Sequence, residues 1–288
     1  MSTLTGKRVL ITGGNRGFGA VLADAFVSAG ADVLLCARDE KALSKVKNEL
    51  EARLSGNQRI HSMPADVSSP DDVKRLVDWA DSSWGGLDVL VNNAGIYGPF
   101  GKLHEVPWEE WIRAMEINLY GSALMCRQVL PLFVRQKAGR IIQLSGGGAT
   151  NPLPQISAYA ASKAAIVRLV ETLAGEYQDQ NIFINAIAPG ALNTRLLDEV
   201  LTAGPGKVGE AFYRKALQQK EQGGASMDRA AALAVFLASD EAAGLTGRLI
   251  SAVWDPWEDF PSLKKRIMEG DIYTLRRIIP EDRGQKWT

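Results

Sequence analysis

Histidine and cysteine are nearly missing from this chain, with two of each among 288 residues. The shortage removes several chemistries at once. His61 and His104 are far apart and lack metal-ligand spacing, so neither a zinc site nor a histidine-based triad is expected. Cys36 and Cys126 cannot build a disulfide framework, and each lies in an apolar run, which predicts buried free thiols. Net charge is absent as well, 33 basic side chains balancing 33 acidic ones. Without a basic excess there is no electrostatic footprint for a nucleic acid or a membrane surface. No run approaches the ~18 apolar residues of a membrane span. The opening MSTLTGKR has no apolar signal core. A cytoplasmic enzyme or binding protein is the expectation.

What the chain does have is a regular beat. Short apolar or β-branched runs recur at 8–12, 32–37, 59–63, 87–91, 140–145, 182–188 and 248–254. Between most of them the spacing is helical: Ala20, Leu22, Ala23, Phe26 and Val27 share a stripe, as do Val73, Leu76, Val77 and Ala80. Strands alternating with helices imply right-handed crossovers and a parallel sheet covered on both faces. The fold class is therefore α/β, a doubly wound sheet forming one domain over about 1–256. Residues 194–226 form a polar, glycine-containing excursion, either a lid or a solvated helical insert. The final stretch, 257–288, is too short to fold alone and is expected to pack on the body or on a neighbouring subunit.

The first run, Val9-Leu10-Ile11, feeds into a glycine-rich turn, TGGNRGFG. If a helix opens there, its free N–H groups and dipole suit a dinucleotide pyrophosphate. Gly13 allows a tight turn, Gly17 a close phosphate approach, and Gly19 the packing of helix on strand. Asn15, Arg16 and Phe18 complete this candidate cradle, although an ordinary strand-to-helix loop would look similar. Arg38 ends the second run, where an arginine can accept a 2′-phosphate and an acid would instead bind a ribose. Two guanidiniums, Arg16 and Arg38, favour NADP through charge-assisted hydrogen bonds. The alternative is a surface Arg38 paired with Asp39.

Tyr159 and Lys163 stand four apart in SAYAASKAAIVRLVETLAGEY, on one face if that segment is helical. An ammonium there would favour the tyrosinate and lower the phenol toward a working value, giving a general acid or base without histidine. Taken alone, a Tyr–Lys pair on a helix is usually surface decoration. Asn93, Ala94 and Gly95 follow a strand, as do Pro189, Gly190 and Thr194, where parallel sheets bind ligands. Asp66-Val67 ends the third run, either contacting an adenine or capping the helix near Pro70.

Taken in order, TGGNRGFG, ADV, NNAG, EINLYG, YAASK and PG followed by Thr194 resemble the short-chain dehydrogenase/reductase (SDR) family over about 6–256. The resemblance implies a Rossmann-type seven-stranded sheet, a nicotinamide cofactor and hydride transfer between carbonyl and alcohol. It also implies a homodimer or homotetramer built on long helices around 107–136 and 157–179. Tyr159 would exchange the proton of the substrate oxygen, Lys163 would hold the nicotinamide ribose, and Asn118 would support a water-linked proton relay. Asn93 and Gly95 would line the cofactor cleft, with the Pro189-to-Thr194 loop on the carboxamide.

Two departures stand out. The family's substrate-binding serine lies about thirteen residues before the tyrosine, which here falls on Gly146; the nearest hydroxyl is Ser145. Either the loop GGGATNPLPQI carries an extra residue and Ser145 takes the role, which is the expectation, or the hydroxyl is missing. After the last run, Val253-Trp254-Asp255-Pro256-Trp257 replaces a small, glycine-containing segment. The expected function is NADP-dependent interconversion of a secondary alcohol and a ketone on a small molecule. Competing readings are a dehydration, isomerisation or epimerisation with the cofactor retained, and a non-catalytic NADP-binding regulatory module.

Overall fold

The computed structural model describes residues 3–286, and each apolar run supplies one strand. These are β1 (Arg8–Thr12), β2 (Asp32–Ala37), β3 (Ile60–Pro64), β4 (Val89–Asn92), β5 (Gly139–Leu144), β6 (Ile182–Ala188) and β7 (Leu249–Ser251). All pairings are parallel, in the order β3-β2-β1-β4-β5-β6-β7. The chain winds outward from β1 to β3, then places β4 on the other side of β1. Such a reversal opens a crevice beyond the carboxyl ends of the two central strands.

Alternation along each strand divides the core in two. Val9, Ile11, Val33, Leu35, Val89 and Val91 face one way, into a layer with α1 (Gly17–Ser28) and α2 (Glu40–Glu51). Leu10, Leu34, Cys36, Leu90 and Ile141 face α3 (Pro70–Trp84), α4 (Trp108–Met115), α5 (Gly121–Gln136) and α6 (Ser157–Tyr177) on the other side, chiefly α3, α5 and α6. Because both sides are covered, the strands show no polar face, and the sequence reads as continuous apolar runs. The predicted stripes hold: Leu22, Ala23, Phe26 and Val27 are buried on α1, and Val73, Leu76, Val77 and Ala80 on α3. Each large side chain so buried contributes roughly 1.5–3 kcal/mol. Both cysteines are buried and free.

Two local differences from the sequence reading have physical causes. The helix around 107–136 is interrupted by one π-helical turn, Glu116–Tyr120, between α4 and α5. The last strand stops at Ser251 rather than 254, because the chain turns there. The Asp255 carboxylate accepts from Ser251 N at 2.7 Å, and Ser251 Oγ accepts from Val253 N and Trp254 N.

The excursion after β6 folds into α7 (Arg195–Ala203), α8 (Pro205–Val208) and α9 (Glu210–Gln222). It has a small core of its own, Leu197, Val200, Val208 and Ala216, packed against Tyr97 and Phe100 beyond β4. Its base is closed by Ala225 N donating to Ala191 O at 2.8 Å. Next come α10 (Met227–Ala238), which lies on α1 and is capped by Ser226, and α11 (Phe260–Met268) in the C-terminal extension. That extension packs on the body. Trp257, Phe260 and Ile267 are buried in the α1 layer, and Arg229 lies 5.3 Å from the Trp257 ring. Further on, Leu249 N on β7 donates to Tyr273 O at 2.8 Å, and Arg248 donates to the carbonyls of Ile267 and Gly270. No helix among the described residues is long and apolar enough to cross a membrane.

Candidate active site

Thr12, at the end of β1, ties the two sides of the crevice together. Its hydroxyl accepts from Asn93 N and Ala94 N at 3.0 Å each, and Asn93 Nδ2 donates to Thr12 O (3.0 Å) and Gly13 O (3.3 Å). Gly13 takes a left-handed conformation, φ 67°, and a Cβ there would stand 3.0 Å from Ala94 Cα. Backbone therefore lies directly on backbone, and only glycine fits. On the far side, Thr194 Cγ2 lies 3.6 Å from where a Gly17 Cβ would be, so the loop after β6 reaches the glycine turn.

The start of α1 has the features of an anion site. Arg16 is its extended N-cap residue and makes no side-chain cap, whereas Asp39 caps α2 and Ser69 caps α3. The first N–H groups of α1 are left for a ligand at the mouth of the crevice. Phe18 buries its ring in the core, so it offers the site only its backbone. Asn15 is buried in the same turn. Arg16 and Arg38 are exposed and make no ion pair or hydrogen bond among the described residues. Asp39 accepts from Ala42 N at 3.0 Å, so its carboxylate serves α2 and not Arg38. The phosphates of a dinucleotide fit the free N–H groups at the start of α1.

Asp66 does not cap α3; Ser69 does. The Asp66 carboxylate accepts from Ser68 N (2.9 Å), Ser68 Oγ (2.6 Å) and Arg113 (2.6 Å). Burial works against its charge, but these bonds outweigh it and hold the carboxyl below its usual range. Val67 is buried where α5 begins, close enough that a Cβ at Gly121 would meet it at 2.8 Å. Pro189 and Gly190 follow β6, and Gly190 packs between Ala225 and Val253.

Tyr159 and Lys163 occupy the first two turns of α6, on the face that meets β5. Lys163 is 6% exposed and donates to Leu144 O at 2.7 Å. Burial lowers its pKa to about 8. The expected effect on the phenol is not what the structure shows. Burial, and then the neighbouring Tyr97, push Tyr159 above the ordinary tyrosine range. The ammonium lies 5.5 Å from the Tyr159 ring centroid and gives one of its three N–H bonds to a carbonyl. Four-residue spacing fixes proximity; it does not fix the dielectric around the pair.

Asn118 lies within the π turn and is 1% exposed. Its Oδ1 accepts from Ile96 N at 2.9 Å, and its Nδ2 donates to Ile96 O (2.9 Å) and Ser162 Oγ (3.0 Å). The side chain clamps the strand-end loop to α6, one N–H donor engaged on each. Gly95 is held beside it: a Cβ there would lie 3.3 Å from Asn118 Oδ1 and 3.7 Å from Lys163 Nζ.

Ser145, expected to supply the second hydroxyl, turns away. It is 3% exposed and donates to Lys163 O at 3.3 Å. Gly146 stands opposite the tyrosine instead, and a Cβ there would lie 2.6 Å from Tyr159 Oη. Sequence reasoning also missed Thr12 and Ser162; each looks like an ordinary small polar residue until its partners, some eighty and forty residues away, are folded against it.

A parallel sheet with a ligand crevice at its switch point defines a Rossmann-type α/β protein, and similarity to known proteins narrows the class. Residues 7–203 match the family described as short chain dehydrogenase, and the chain belongs to that family. It is 37% identical over 248 residues to 3beta-hydroxysteroid dehydrogenase 1 of Eggerthella lenta, covering 85% of this chain and 91% of that protein. Among solved structures, levodione reductase superposes with a TM-score of 0.78 at 28% identity, covering 86% of this chain and 96% of the other. NAD+-bound xylitol dehydrogenase gives 0.78 at 27%, covering 86% and 97%. The chain is thus an oxidoreductase of the kind acting on CH–OH groups.

Proposed function

We propose that the protein interconverts a secondary alcohol and a ketone on a small molecule with NADP(H), Tyr159 acting as general acid and base and Lys163 as its electrostatic partner. The observation that carries this reading is the Tyr159–Lys163 pair on α6, the lysine buried and the tyrosine half-buried, beside Gly95 and Gly146 beyond the ends of β4 and β5. Gly13, Asn15, Gly17, Gly19, Asn93, Ala94 and the loop from Pro189 to Thr194 would hold the dinucleotide, with Asp66 and Val67 toward its adenine end. Bound there, the cofactor supplies or accepts the hydride. Tyr159 protonates the substrate oxygen during reduction, and Lys163, with a pKa near working pH, favours the charge left on the phenolate. Asn118 acts as a positioning residue through Ile96.

Tyr159→Phe is expected to remove more than about 99% of NADPH-dependent ketone reduction, the loss typical of an essential acid. NADPH binding, followed by fluorescence titration, should be unchanged; full activity in this variant rejects the mechanism.

The preference for NADP rests on Arg16 and Arg38, both exposed and free of internal partners. Replacing Arg38 by Asp should raise the KM for NADPH by roughly 10–100-fold, as loss of a charge-assisted phosphate contact implies. The KM for NADH should hold or fall. Assembly as a homodimer or homotetramer in the cytoplasm belongs to the same reading. Trp108, Ile112 and Tyr120, exposed by 55%, 37% and 59% along the α4–α5 rod, support it.

A further inference from the structure

We infer that the phenol of Tyr97 supplies the second hydrogen bond to the substrate oxygen, in the place left empty by Gly146. The inference rests on the carbonyl chemistry proposed above. As hydride reaches a carbonyl carbon, negative charge gathers on its oxygen, and a second fixed donor beside the acid stabilises that charge. Position 146 has no side chain to give one, and the position of Tyr159 Oη, 2.6 Å from a Cβ at that residue, excludes a side chain there without moving the tyrosine.

The other hydroxyls and amides near Tyr159 are engaged or aimed elsewhere. Ser145 donates to Lys163 O. Ser162 Oγ donates to Tyr159 O at 2.7 Å, while Ser157 Oγ is drawn toward α4, where it accepts from Trp111 Nε1 at 3.1 Å. The Asn118 amide is spent on Ile96 and Ser162. Gln155 turns its amide onto Gly209, between α8 and α9.

Tyr97 remains. Its ring meets that of Tyr159 edge to face, centroids 4.7 Å apart at 64°, with Phe100 5.7 Å away on another side. Its hydroxyl makes no hydrogen bond among the described residues, although the ring packs into the apolar cluster under α7–α9. The residue is half-buried and its oxygen is not among the enclosed unpartnered polar atoms, so the hydroxyl stays open to a ligand. Burial pushes its pKa up to about 12, which keeps the proton on and the group a donor throughout the working range.

The backbone on either side is pinned. Ile96 is held at both N–H and C=O by Asn118. Gly98 turns at φ 76° so close to α4 that a Cβ would stand 2.7 Å from that of Ala114. The donor is therefore placed before substrate arrives, which is the condition for it to act in the transition state without reorganisation cost. A carbonyl oxygen between Tyr97 and Tyr159 leaves the carbon skeleton toward Phe100 and the helices above it. That surface suits an alicyclic ketone better than a charged chain.

The test replaces Tyr97 by Phe, which keeps the ring and removes only the hydroxyl. Steady-state NADPH oxidation is measured with a panel of cyclic ketones, from cyclohexanone to an oxosteroid, beside wild type and Tyr159→Phe. The expected result is a fall in kcat of about 100-fold, with the KM of the ketone within threefold, and NADPH affinity and melting temperature unchanged. Turnover within twofold of wild type overturns the inference. So does a loss that comes with weaker NADPH binding or a lower melting temperature, because the hydroxyl would then be structural. An active Tyr159→Phe, or a wild type inert toward the whole panel, overturns the underlying reading and this inference with it. A dead Tyr159→Phe beside a normal Tyr97→Phe overturns this inference alone.

Discussion

Lys163 shows what single residues contribute and what they cost. Its pKa is depressed from 10.5 to about 8 by burial, so the folded protein strains to keep the ammonium charged. The unfolded chain binds that proton more tightly, so below pH ~8 the full penalty is present. It is relieved as pH rises toward ~10. At about 1.4 kcal/mol per pKa unit the penalty is on the order of 3 kcal/mol. Wild type should therefore gain stability relative to Lys163→Met between pH 8 and 10, as read from urea midpoints at each pH. A constant difference across that window would show that Lys163 does not titrate there. The pairing of Tyr159 with Lys163 was legible because a helix repeats every 3.6 residues. The direction of the phenol's shift was not, since it depends on what surrounds the pair. The choice between Ser145 and Gly146 also needed the fold, because it turns on which way the chain faces as it leaves β5.

At the scale of elements, the π turn between α4 and α5 ties the helix to the crevice. It carries Asn118, whose three hydrogen bonds hold Ile96 and Ser162. Asn118→Ala leaves a backbone N–H, a carbonyl and a hydroxyl without that partner. Ser162 Oγ keeps its bond to Tyr159 O, so at about 1–3 kcal/mol for each of the two Ile96 groups a loss of roughly 2–6 kcal/mol follows, measurable by calorimetry. Activity should fall further than stability explains, because Tyr97 and Gly95 ride on the same loop. The strands and the stripes of α1 and α3 were readable from apolar spacing alone. The π turn was not, and the partner its Asn118 holds lies 22 residues away in sequence. The short reach of β7 was hidden for a similar reason: Val253 and Trp254 look β-forming, yet Asp255 folds the chain back on Ser251.

For the whole molecule, the extension beyond β7 is part of the body's core. Trp257, Phe260 and Ile267 are each buried, contributing roughly 1.5–3 kcal/mol apiece, together comparable with the 5–15 kcal/mol net stability of a typical domain. Truncation after Pro256 should lower the melting temperature by more than about 10 °C and yield aggregates in light scattering; a truncated chain that melts like the full one would show the extension to be dispensable. Composition gave the extension's dependence on a neighbour, and the fold supplied the neighbour. The contact of Leu249 with Tyr273 has a further effect on how molecules can line up. Endless ribbons, built by adding one sheet to the next, require a raw margin at each side of every unit. Here one margin is hemmed by the protein's own backbone, leaving β3 as the single selvage, so edge-to-edge growth halts after the first pair.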